Sequence, residues 1–151
     1  MLLMLMGSSF ASTLSAQRKP PLPYTISAVK VMLFYEHTGT FSQDILAEPK
    51  IILRNRRTAQ GRSTTTLVVI ELTGEPEAFD PQRKLIFTAT DSHTLKFKKT
   101  YTVGILSEEG KFFIGFWLYD TGCYPVTLTA HLTGQPSSSF TKQVINFNCG
   151  D

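Results

Sequence analysis

Asp120-Thr-Gly-Cys-Tyr124 sets a carboxylate, a hydroxyl, a thiol and a phenol within five residues. Asp120 could act as an acid or base if a second carboxylate shared its proton. Cys123 could act as a nucleophile only as a free thiol, and the chain has one other cysteine, Cys149. His37, His93 and His131 are far apart and follow no metal-ligand spacing. Glu71, Glu75, Glu77 and Asp80 cluster around one loop without the alternating acidic pattern of a calcium loop, so ordinary surface acid is the main reading. Arg54, Arg56, Arg57 and Arg62 form the one concentrated basic segment. They fit a solvated hairpin loop, or a contact for an anionic partner such as phosphate, polysaccharide or a lipid headgroup.

The elements that position these groups read as β-strands. Val126, Leu128, Ala130 and Leu132 alternate with Thr127, Thr129 and His131, the period of a half-buried strand. A turn-rich stretch, 133–139, separates them from a second extended run, 140–148. Antiparallel pairing about the centre of that loop sets Leu132 opposite Phe140 and Cys123 opposite Cys149. The expectation is a Cys123–Cys149 disulfide across the open end of the hairpin, which leaves no thiol for catalysis. Strict pairing turns Ile145 and Phe147 away from Val144 and Phe140, and a bulge near Asn146 would repair that.

Two families share the Asp120–Tyr124 pattern. Asp120, Gly122 and Tyr124 at the entry to a strand resemble the tyrosine corner of immunoglobulin-like Greek-key sandwiches, where the Tyr hydroxyl bonds back to backbone upstream. Cys123 precedes that Tyr rather than following it, so the inter-sheet disulfide of antibody domains is not implied. Two apolar residues followed by Asp-Thr-Gly also resemble the catalytic motif of pepsin-like and retroviral proteases. That resemblance implies a dimeric enzyme using Asp120 from each copy. In the retroviral family the motif lies early, whereas here the residues after Gly122 are already used by the closing hairpin.

The chain has 151 residues, 42% of them hydrophobic and 11% aromatic, enough for one packed domain. The net charge of +3 is mild and no basic stripe alternates with aromatics, which argues against a nucleic-acid partner. Residues 1–16 lack charge and run from an apolar stretch into small residues, as in a secretory signal peptide without a basic start. The apolar run is too short to span a bilayer. Residues 17–23 are a proline-rich linker, and 24–151 read as a single β-sandwich domain. Export and a disulfide support each other, because such bonds persist in oxidising compartments.

Within that domain, 27–36, 51–53, 63–72, 84–90, 94–106 and 111–119 read as strands, and Ser42 to Glu48 could hold one helical turn capped by Ser42. In 94–106, Leu95, Phe97, Tyr101, Val103 and Ile105 are expected to face inward, with Lys99 breaking the stripe. Lys111 to Tyr119 is apolar on both faces, so Phe113, Trp117 and Tyr119 either join the core or form an exposed aromatic strip. The recurrence of strands and turns implies an all-β, immunoglobulin-like antiparallel sandwich of about seven or eight strands.

The chain has no nucleophile elbow, phosphate loop or dinucleotide fingerprint. The expected function is a secreted, periplasmic or cell-surface binding module, non-catalytic and without cofactor or metal, for a protein or glycan partner. The alternatives are the aspartic-protease-like dimer and a subunit of a surface assembly that exchanges strands.

Overall fold

The computed structural model describes residues 24–47, 52–53, 58–91, 94–135 and 140–149. The expected leader at 1–16, the linker at 17–23, Arg54, Arg56, Arg57 and His93 lie outside the described residues. The strands are β1 (Thr25–Tyr35), β2 (Thr40–Phe41), β3 (Ile52–Leu53), β4 (Thr65–Thr73) and β5 (Lys84–Asp91), then β6 (Thr94–Thr102), β7 (Lys111–Leu118), β8 (Val126–Leu132), β9 (Thr141–Ile145) and β10 (Phe147–Asn148).

Two antiparallel four-stranded sheets result, one ordered β2-β1-β4-β7 and the other β6-β5-β8-β9. β3 pairs in parallel with β10 beside them. The division of β1, β4 and β7 from β5, β6, β8 and β9 is that of an immunoglobulin-like Greek key. The alternation along each strand explains the layering. Val31, Val68, Ile70, Leu72, Ile114, Phe116 and Leu118 point in from the first sheet. Leu85, Phe87, Ala89, Val126, Leu128, Ala130 and Leu132 meet them from the second. Phe87 and Phe116 stack at 4.4 Å between ring centroids, one from each sheet, at the centre of this core.

The closing hairpin forms, but in a different register from the one expected. Val126 pairs with Ile145 and Leu128 with Gln143, one residue short of the pairing implied by the cysteine positions. A slip of one residue exchanges the faces of a strand. Ile145 and Phe147 are therefore buried, while Phe140 and Val144 are exposed. The strand is interrupted at Asn146, between β9 and β10, where a bulge was expected. Past that break the chain regains the residue it lost, and Cys123 bonds Cys149 with their Cα atoms 5.0 Å apart.

No helix forms after Ser42. The segment instead runs along β1, with Ser42 N–H donating to the Leu33 carbonyl and Ile45 N–H to the Val31 carbonyl. The polar side chains complete the ladder: Leu33 N–H donates to Ser42 Oγ, and Val31 and Leu46 N–H both donate to Asp44 Oδ1. Side-chain bonds of this kind compete with helix. β6 is also shorter than expected. It ends at Thr102, and Tyr101 and Ile105 are exposed where inward positions were expected. β6 is the edge of its sheet, so its last inward positions reach the rim; Tyr101 there lies 6.3 Å from the ring of Phe112.

Beyond β6 the chain is held to the loop before β5. Val103 N–H donates to the Arg83 carbonyl and Leu106 N–H to the Ala78 carbonyl, which buries both apolar side chains. Gly110 closes the turn into β7 at a φ of 69°, and a Cβ there would strike the Gly74 carbonyl. Arg83, itself buried, pairs with Asp80 at 3.2 Å and donates to the Thr133 carbonyl, tying this loop to the end of β8.

Candidate binding surface

The outward face of the first sheet follows from the same alternation. With Val31, Val68 and Phe116 pointing in, Met32, Phe34, Leu67, Val69, Phe113, Gly115 and Trp117 must point out. The register sets Met32 beside Leu67 and Leu67 beside Trp117. Phe34 pairs with Phe41 of β2, which folds back through the turn at Gly39. Three rings meet there. Phe34 lies 5.1 Å from Phe41 and 5.8 Å from Trp117, and Phe41 lies 5.9 Å from Trp117, with the Phe34–Trp117 contact edge-on. Phe41 is 46% exposed and Trp117 38%, so the cluster is packed internally and still presents ring faces to solvent.

Charge lies at the other end of the same face. Lys111 Nζ approaches Glu71 Oε1 at 3.5 Å, and Lys30 lies on the row of Val69 and Gly115. Phe113, 57% exposed, lies opposite Glu71, one row further from the aromatic cluster than Lys30. Tyr119 is 69% exposed and lies just past the end of β7, outside the cluster. Of the expected strip, Phe113 and Trp117 thus share one face. Phe34 and Phe41 were missed, because Phe34 lies within the 27–36 strand with nothing to set it apart and Phe41 lies between that strand and the Ser42 to Glu48 segment. The outward run Lys30, Met32, Phe34, followed by a short turn and another Phe, was the available signal.

Asp120, Gly122 and Tyr124 do not form a tyrosine corner among the described residues. Tyr124 is 63% exposed and makes no hydrogen bond there, so its phenol does not brace the crossover. Thr121 occupies the inward position instead, buried with its hydroxyl 3.2 Å from that of Thr66. Asp120 is exposed at a φ of 49°, in the left-handed region. Arg62, the one arginine of the basic loop that is described, is also exposed.

Among the described residues, no group of three or more His, Cys, Asp or Glu could hold a metal ion. A cleft of about 140 Å³ lies between Ile45, Leu46 and Ile52 and the 143–146 stretch. That is below the few hundred Å³ of a typical small-molecule site. No described helix is long and apolar enough to cross a membrane. Neither a protein-family model nor a curated protein matches the chain.

Proposed function

We propose that this chain is a non-catalytic binding module that works outside the cytoplasm and engages a protein or glycan partner through the outer face of β1, β4 and β7. The carrying observation is the Phe34–Phe41–Trp117 cluster, three rings within 5.9 Å of one another with two of them well exposed. Such a platform offers rigid apolar area at little entropic cost, and Trp and Phe are favoured at interface centres for that reason. The Cys123–Cys149 bond supports an oxidising location, whether secreted, periplasmic or cell-surface.

The chain has a single Trp, so the test is direct. Acrylamide should quench Trp117 readily in the free protein, and a bound partner should protect it. Trp117→Ala and Phe41→Ala should each weaken capture of that partner by about tenfold or more. A free protein whose Trp117 resists quenching, or a partner that binds both variants with unchanged affinity, would remove this face from consideration.

A further inference from the structure

The two sides of β7 differ in their backbone hydrogen bonding. In an antiparallel ladder, successive residues direct their N–H and C=O to opposite sides of the strand. On β1, Val31 and Leu33 direct theirs toward Ser42 and Ile45. Lys30, Met32 and Phe34 therefore direct theirs to β4, where they pair with Val69, Leu67 and Thr65. Val68, Ile70 and Leu72 then face β7, opposite Phe116, Ile114 and Phe112. Phe113, Gly115 and Trp117 are left directing their backbone groups away from the sheet. Lys111 belongs to the same series, and its carbonyl accepts from Ser107 N–H in the turn at 2.8 Å rather than from β4.

Proteins usually blunt such edges with charges, prolines or bulges. β6 carries exposed Lys98 and Lys99, and β9 carries exposed Lys142. β7 reads Lys-Phe-Phe-Ile-Gly-Phe-Trp-Leu, with its one charge at the first residue. Its pairing with β4 runs without a bulge from Lys111 to Leu118.

We propose that β7 pairs antiparallel with β7 of a second copy of this chain, about a two-fold axis through Gly115. The two four-stranded sheets would become one continuous sheet of eight. The sequence is nearly symmetric about that residue, as an isologous contact requires. Phe113 meets the partner's Trp117, Ile114 meets the partner's Phe116, and Phe112 meets the partner's Leu118. Each pair lies on one face, so the pleat is continuous, and the aromatic–aromatic pairs contribute beyond their area. Gly115 meets itself, and it is exposed with no side chain to obstruct the axis. The backbone groups of Phe113, Gly115 and Trp117, unpaired among the described residues, satisfy one another in this register. Charge selects the antiparallel sense. Lys111 at one end of the strand falls opposite the partner's Tyr119, the neighbour of Asp120, twice over, whereas a parallel pair would oppose lysine to lysine. Lys111 remains 47% exposed beside Glu71. The contact uses the backbone edge of β7, so it goes beyond the binding of a partner on the aromatic face.

The test uses the full chain in sedimentation velocity, with expected reversible dimerisation, and three variants. Gly115→Pro removes an outward N–H, which an edge strand tolerates, and should weaken dimerisation by roughly tenfold or more. Gly115→Cys places two sulfurs on the axis. Directly paired Cα atoms about 5.5 Å apart suit a disulfide, and the native cysteines are bonded to each other. This variant should oxidise to a covalent dimer. Phe113→Cys, which faces the partner's Trp117, should not link to itself. If Gly115→Pro does not fold, as judged by circular dichroism, the two cysteine variants decide the matter. A wild-type chain that stays monomeric up to about 1 mM would overturn the proposal. So would a Phe113→Cys variant that cross-links as fast as Gly115→Cys. Phe41→Ser should leave dimerisation unchanged while weakening partner capture, which separates failure of this contact from failure of the face.

Discussion

Among the described carboxylates, Glu36 is the one whose surroundings change it most. Desolvation raises its pKa, but its own backbone N–H, the Thr65 and Thr64 hydroxyls and the Thr64 N–H outweigh that effect, and the net value falls from 4.5 to about 2. The Thr64 hydroxyl donates to Glu36 Oε1 at 2.8 Å and the Thr64 N–H at 3.1 Å, so the carboxylate fastens the end of β1 to the start of β4. The folded value lies below the unfolded one, so the stabilisation is complete above pH 4.5 and is lost as the pH falls toward 2. Denaturation midpoints measured through that window should fall for the wild type, and Glu36→Gln should flatten the fall. The effect is at most about 1 kcal/mol, because solvent screens a carboxylate this exposed. Nothing in the sequence around Glu36 marks it, since its partner lies 28 residues away. Tyr24 carries a similar message: burial raises its pKa, its hydroxyl is buried without a hydrogen bond, and the Asp80 backbone lies near it without bonding geometry. Neither residue stood out by type or spacing, because a polar side chain's role depends on what the fold brings to it.

At the scale of elements, the hairpin β8–β9 shows how one constraint can be legible and its neighbour not. The alternation of Val126 to Leu132 and the matched cysteine positions were enough to expect the strand and the Cys123–Cys149 bond. The register between them was not fixed by either, and the burial of Ile145 and Phe147 shifted it by one residue. Replacing both cysteines by alanine should lower stability by about 3–4 kcal/mol in the chain-entropy account, measured by urea denaturation under non-reducing conditions. A loss below about 1 kcal/mol would show that the hairpin holds itself. The helical turn expected after Ser42 failed for a local reason. Ser42 and Asp44 are helix-capping types, and here they cap the β1 edge with the same hydrogen-bonding atoms. The sequence signal for a cap does not say which backbone receives it.

Over the whole molecule, the two-layer arrangement was readable because period-two runs and turn residues recur along the chain. Which strand neighbours which was less so, since sheet order depends on crossovers that leave no local trace. The Phe87–Phe116 stack joins the two sheets, with ring centroids 4.4 Å apart. Phe116→Ala should cost about 3–5 kcal/mol and lower the thermal midpoint in calorimetry, while leaving the outward face of β7 in place. The aromatic surface was half legible: the alternation in β7 pointed to Phe113 and Trp117, but Phe34 and Phe41 reach Trp117 only because β1 and β2 end in the same sheet.

One small contact bears on how the chain matures. The Gln135 side chain acts as a surrogate peptide: Tyr24 N–H donates to its Oε1 at 2.8 Å, and its Nε2 donates back to the Tyr24 carbonyl. These partners are 111 positions apart. A nascent polypeptide leaving a ribosome or a translocation pore would therefore present the opening of β1 long before its fastener emerges. The first strand stays unlatched at its head until nearly the last of the domain has been delivered, and that interval is when a chaperone would find it open.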